Sequence, residues 1–259
     1  MVETSSIISM AISFVLGVIF PIVLAFILHK KLRFTWKSVL IGVLVCFSVF
    51  ILAFSWDQLS KNAWYVEFSH KRFFLYVFLE ALSAGLFEEI GRYIGFSFFL
   101  KNHLTWENGI GYGIGHGGFE SISKGTGFLI GLIYAIVLNA NRTMPGLTSL
   151  MIRKLIETPS YGFLISGIGI VIAFIGQIAL SLIVLYAVKK RKISFLFLTI
   201  LLHTTADFIN MASNKLSIRG FVFCFDTITS IALVVWIFKS KKYLESNSNP
   251  NESTIESIE

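Results

Sequence analysis

Two uncharged apolar runs constrain this chain more than any other feature. Ile7 to Leu28 holds 22 residues and Tyr161 to Val188 holds 28 residues with no Asp, Glu, Lys or Arg. A helix of ~20 residues at 1.5 Å per residue crosses a hydrocarbon core of ~30 Å, where every backbone polar group must be satisfied internally. Further apolar stretches lie at 38–55, 73–100, 109–141, 193–214 and 220–238. The 259-residue chain is 55% hydrophobic and only 14% charged, against roughly a quarter charged in an ordinary soluble domain. These features predict an all-α, polytopic transmembrane helix bundle of seven or eight spans over residues 1–242. A polar cytoplasmic tail, expected to be disordered, follows over 243–259.

The net charge of +7 does not indicate nucleic acid, because the basic residues cluster between apolar runs as topology signals do. The clusters are His29 to Lys37, Lys189 to Lys192, and Lys239 to Lys242. The positive-inside rule then places the amino terminus outside and the carboxyl terminus in the cytoplasm, and the Phe- and Ile-rich, Cys-poor composition suits a bacterial plasma membrane. No small-residue cleavage site follows Leu28, so the first run is expected to be retained as a span. Parity requires an odd number of crossings between residues 101 and 161. One long broken or tilted span over 109–141 meets this better than a third crossing at Leu147–Ile156, where Arg153, Lys154 and Glu157 intervene. Cys46 and Cys224 lie in apolar stretches and indicate neither a disulfide nor a thiolate cage.

Charged side chains inside a bilayer cost at least ~2.5 kcal/mol each and mark functional sites. Here they form three groups. In Glu88-Glu89-Ile90-Gly91-Arg92, Glu88 and Arg92 are four apart and share a helical face, while Glu89 is rotated by about 100°. Both carboxylates cannot have Arg92 as their closest partner, so one remains free for chemistry. In Gly115-His116-Gly117-Gly118-Phe119-Glu120, His116 and Glu120 are again four apart, and the glycines allow another backbone to approach closely. His203 and Asp207 repeat the spacing. Each group also has a structural explanation: an ion pair at a helix end, a packed histidine, or an interhelical hydrogen-bond clamp. Glu80 lies eight residues before Glu88, either lining the same cavity or at the interface, and Lys124 and Asp226 receive no role. Gly113 to Gly118 fits a dinucleotide pattern but has no βαβ unit around it.

The order Glu-Glu-x-x-Arg, Gly-His-Gly-Gly-Phe-Glu and His-x-x-x-Asp resembles the YhfC-like family of bacterial membrane proteins, proposed intramembrane peptidases. It is more distantly similar to the PrsW-like and the CAAX- and bacteriocin-processing (CPBP) membrane proteases. It departs from the CPBP pattern in having two residues, not three, between the second Glu and Arg, and in having His-x-x-x-Asp where that group often has Asn. The resemblance implies hydrolysis of peptide bonds in a membrane protein or membrane-associated peptide.

The residue types allow two schemes. In a glutamic scheme, burial disfavours a carboxylate's charged form and makes it a better base, so Glu88 or Glu89 activates water. His116 and His203 then orient that water or stabilise an oxyanion. Arg92 holds the second glutamate, and Glu120 and Asp207 fix the imidazole tautomers. In a metal scheme, His116, His203 and Glu89 bind zinc with a water in the fourth position. Arg92 beside the carboxylates favours the first, with no cofactor. A proton-coupled transporter using the Glu and His cluster as a relay, and a non-catalytic membrane scaffold with a polar core, are the alternatives.

Overall fold

The computed structural model describes residues 1–59, 62–140, 146–213 and 215–245. Among them the ordered elements are all helical: α1 (Thr4–Leu32), α2 (Trp36–Leu59), α3 (Ala63–Lys71), α4 (Phe73–Ile94), α5 (Trp106–Asn139), α6 (Ser149–Glu157), α7 (Ser160–Lys189), α8 (Ser194–Ser213) and α9 (Arg219–Glu245). Five of these, α1, α5, α7, α8 and α9, are long and apolar enough to cross a membrane by length and composition. α2 and α4 have 24 and 22 residues, and α4 carries the four charges Glu80, Glu88, Glu89 and Arg92. Large apolar side chains point outward along these helices, as Phe26, Phe197, Phe221 and Ile228 do, which suits contact with lipid rather than water. The tail expected over 243–259 lies beyond Glu245 outside the described residues; Tyr243 to Glu245 continue α9, where Leu244 is buried.

Residues 101–161 contain one long helix and one short one. The Gly-rich segment does not break α5, which runs for 34 residues, and α6 has only nine residues, about 14 Å of helix and too short to cross. α5 survives the six glycines from Gly109 to Gly118 because it is clamped from two sides. Residues two apart on a helix are rotated by about 200°, so alternate glycines face opposite neighbours. A Cβ at Gly113 would meet Ile178 Cα of α7 at 2.6 Å, and one at Gly115 would meet the Val39 carbonyl oxygen of α2 at 2.0 Å. The close approach anticipated from these glycines is thus taken up by helices on both sides of His116.

A second close crossing joins α1 to α5. Pro21 has no N–H, so the Gly17 carbonyl four residues earlier loses its usual helical donor. Ser121 Oγ of α5 donates to that carbonyl at 2.8 Å, replacing the lost bond as membrane helices require. Side chains pin the ends of α5. Thr105 caps it by accepting from Asn108 N, Trp106 Nε1 donates to Ile237 O of α9 at 3.0 Å, and Asn139 at the far end bonds both backbone groups of Val2. Beyond Ile94 the chain continues α4 with one widened turn over Gly95–Phe99, in which Leu100 N donates to Gly95 O at 3.1 Å. Tyr112 of α5 fills the space left by the missing side chain of Gly95.

Candidate functional site

Helices α4, α5, α7 and α8 bring the three charged groups together. Glu88, Glu89 and Arg92 come from α4, His116 and Glu120 from α5, and His203 and Asp207 from α8. Glu89, Arg92 and His116 have no solvent-exposed surface, and His203 is 6% exposed. The Glu88 side chain is 16% exposed, Glu120 23% and Asp207 41%, so the cluster opens progressively from a sealed floor to an accessible mouth.

Glu88 is the point on which both imidazoles converge. His116 Nε2 lies 2.9 Å from Glu88 Oε2, and His203 Nε2 lies 3.8 Å from the same oxygen. Glu89 is the fully buried carboxylate. Its Oε1 accepts from Arg92 Nη1 at 2.6 Å and from His203 Nδ1 at 2.7 Å. In that second bond Nδ1 is the donor, and it turns Nε2 toward Glu88 and toward Asp207 Oδ2, 3.5 Å away.

The spacing left open which of the two glutamates Arg92 takes. Arg92 bonds Glu89 at i−3, and its Nη2 stops 4.0 Å from Glu88. The physical reason is on another helix, because Arg92 Nη2 donates to Gln177 Oε1 of α7. Gln177 carries no charge and so does not stand out among the ionisable groups of the sequence. Its Nε2 donates to Glu88 Oε2 at 3.2 Å and to Glu120 Oε2 at 2.8 Å, so one amide ties α4, α5 and α7 together. The signal was present as the one amide side chain in the uncharged run from Tyr161 to Val188.

Four other charged residues have partners that the sequence did not give. Glu120 does not orient His116, whose Nδ1 has no hydrogen-bond partner among the described residues; it bonds Gln177 and pairs with Lys124 Nζ at 2.5 Å. That i, i+4 pair also gives Lys124 the partner it was not assigned. Asp226 accepts from Asn210 Nδ2 at 3.1 Å. Glu80 accepts from Tyr65 OH of α3, at the other end of α4 from the cluster.

No group of three or more His, Cys, Asp or Glu side chains is assembled as a ligand cage among the described residues. The donor chemistry nevertheless fits a cation. Two imidazole Nε2 atoms face one carboxylate oxygen, and the other nitrogen of His203 is held by a second carboxylate, as in metal-binding histidines. Four carboxylates, Glu88, Glu89, Glu120 and Asp207, stand against only Arg92 and Lys124. Glu89, the carboxylate first named for a metal set, has its Oε1 committed to Arg92 and His203, so the oxygen facing both Nε2 atoms is that of Glu88.

The model of a family described as YhfC intramembrane metalloprotease matches residues 16–224. The chain belongs to the YhfC family. It is 32% identical over 225 residues to the protein named uncharacterized membrane protein YhfC of Bacillus subtilis (strain 168), covering 78% of this chain and 83% of that one. No solved structure matches it. The span matched to the YhfC family takes in every residue of the cluster, from Glu88 to Asp207.

Proposed function

We propose that this protein hydrolyses peptide bonds of membrane-embedded or membrane-associated peptides at Glu88. The observation that carries this is the meeting of His116 and His203, from separate helices, at one partly exposed carboxylate oxygen inside a membrane bundle. Glu88, bonded to His116 Nε2 and Gln177 Nε2, sits at the partly exposed end of a chain of bonds whose far end, Glu89 and Arg92, is sealed.

Glu88 takes the proton of a water held between it and His203 Nε2, which attacks the scissile carbonyl. His116, with its Nε2 proton on the same side, donates to the developing oxyanion, and Glu88 passes the water's proton to the departing amine as the C–N bond breaks. Glu89 fixes the tautomer of His203, and Arg92 keeps Glu89 charged and in place. If the family's metal is bound here, His116, His203 and Glu88 are the residues that would hold it, and it would supply an activated water at neutral pH. Glu89 then acts behind His203, as it does in the metal-free description. The mouth formed by Glu120, Lys124 and Asp207 admits water and an unwound peptide segment.

The chain crosses the membrane seven times in this description, through α1, α2, α4, α5, α7, α8 and α9, with its amino terminus outside. That count puts the basic stretches at 29–37, 189–192 and 239–242 on one side together. The protein would sit in a bacterial plasma membrane.

The test is incubation of purified protein in liposomes with a broad panel of fluorogenic transmembrane peptides, with and without chelator, beside Glu88→Gln and His203→Ala. Cleavage lost in both variants supports the assignment. Loss in chelator, with metal found in the purified protein, assigns the metal form, and persistence assigns the glutamic form. No cleavage by wild type across the panel, with gradient-dependent solute uptake instead, would establish the transporter.

A further inference from the structure

We infer that Gln177 is a positioning residue that keeps Arg92 away from Glu88. This rests on the hydrolytic role of Glu88 given above. The guanidinium of Arg92 has two carboxylates on its own helix within reach, and Coulomb attraction alone does not choose between them. Its Nη1 is taken by Glu89 at 2.6 Å. Its Nη2 is the atom 4.0 Å from Glu88 Oε2, and the same atom donates to Gln177 Oε1. The amide therefore takes one of the two Nη2 hydrogens and holds that nitrogen on its own side, 4.0 Å short of Glu88.

The chemistry of an amide suits this position. The guanidinium only donates and the carboxylates only accept, so Gln177 must present its oxygen to Arg92 and its nitrogen to Glu88 and Glu120. It then does two things together: it satisfies Nη2, and it holds the Glu88 oxygen at 3.2 Å on the side facing the imidazoles. Local packing fixes it there. A Cβ at Gly117 would lie 2.9 Å from Gln177 Cβ, so the missing side chain of that glycine is what admits Gln177 between α4 and α5. Gln177 is 5% exposed. Without the amide oxygen, Nη2 is a buried charged donor with no partner, a costly state, and movement of about 1 Å toward Glu88 relieves it. Glu88 would then be drawn into the Arg92 ion pair and away from His116 and His203.

The experiment measures kcat and KM separately in proteoliposomes, on the peptide that wild type cleaves best, for wild type, Glu88→Gln, Gln177→Met and Gln177→Glu, together with thermal unfolding midpoints. Met keeps the volume and removes both polar ends, whereas Glu keeps an oxygen for Nη2 and, protonated beside two other carboxylates, an O–H donor toward Glu88 or Glu120. Gln177→Met is expected to lower kcat by about tenfold or more with KM within about twofold, as misplacement of a reacting group does. Gln177→Glu is expected to retain clearly more kcat than Gln177→Met. A kcat for Gln177→Met within about twofold of wild type overturns the inference, as does an equal loss in both variants. If Gln177→Met does not reach the membrane, Gln177→Asn, one methylene too short to reach Arg92, carries the same comparison against Gln177→Glu. Cleavage by wild type, its loss in Glu88→Gln and full activity in Gln177→Met would remove this inference and leave the hydrolytic assignment intact; no cleavage by wild type removes both.

Discussion

Gly115→Ala tests how far the site depends on the fit of helices around it. The added Cβ would lie 2.0 Å from the Val39 carbonyl oxygen and 2.8 Å from its carbon. Both are backbone atoms of α2, so no rotamer change relieves the clash. Bringing the first contact to 3.0 Å, below which real Cβ atoms are essentially never found, requires the helices to part by roughly 1 Å. α5 cannot retreat freely, because Gly113 holds it against Ile178 Cα on the opposite face. The strain therefore reaches His116, the next residue, whose Nε2 is 2.9 Å from Glu88. Overpacking of this kind costs about 1–3 kcal/mol, and the gain in helix propensity from Gly to Ala returns only about 1 kcal/mol. A misplacement of ~1 Å in a catalytic group lowers turnover by roughly 10²-fold. Gly127→Ala and Gly176→Ala are the controls, since a Cβ at either meets nothing within 4 Å. The assay is peptide turnover in liposomes with the unfolding midpoint of each variant. A Gly115→Ala protein with wild-type turnover and an unchanged midpoint would refute the claim that this crossing sets the position of His116.

Three further outcomes are expected. Glu88→Gln should abolish cleavage with little loss of stability, while Glu89→Gln should destabilise by about 3–5 kcal/mol, because it leaves the buried Arg92 without its counter-ion; thermal unfolding separates the two. Lys241→Ala, which removes a partly exposed pair with Glu107 at 2.8 Å, should cost only about 0.2–1 kcal/mol, whereas Trp106→Ala, which empties a buried indole site at the same helix end, should cost about 3–5 kcal/mol. Single cysteines at Arg153 and Lys190, in a background lacking Cys46 and Cys224, should react with a membrane-impermeant maleimide from opposite faces, because α7 lies between them; labelling of both from one side would break the seven-crossing topology.

The sequence by itself determined that the chain is helical and membrane-embedded, because uncharged runs such as Ile7–Leu28 leave the backbone no other way to satisfy its polar groups in lipid. It also marked Glu88, Glu89, Arg92, His116, Glu120, His203 and Asp207, since charge is too costly in that setting to be scattered. Spacing along one helix could not say which glutamate Arg92 would take, because positions three and four residues away are both within its reach. That choice depends on Gln177, 85 residues further along the chain. Likewise, nothing local to His203 points to Glu89, 114 residues earlier, as its bond partner. Only the tertiary structure decided these pairings: the glycines of α5 let its neighbours come so close that side chains from four helices compete for the same few donors and acceptors, and the outcome belongs to the bundle rather than to any one segment.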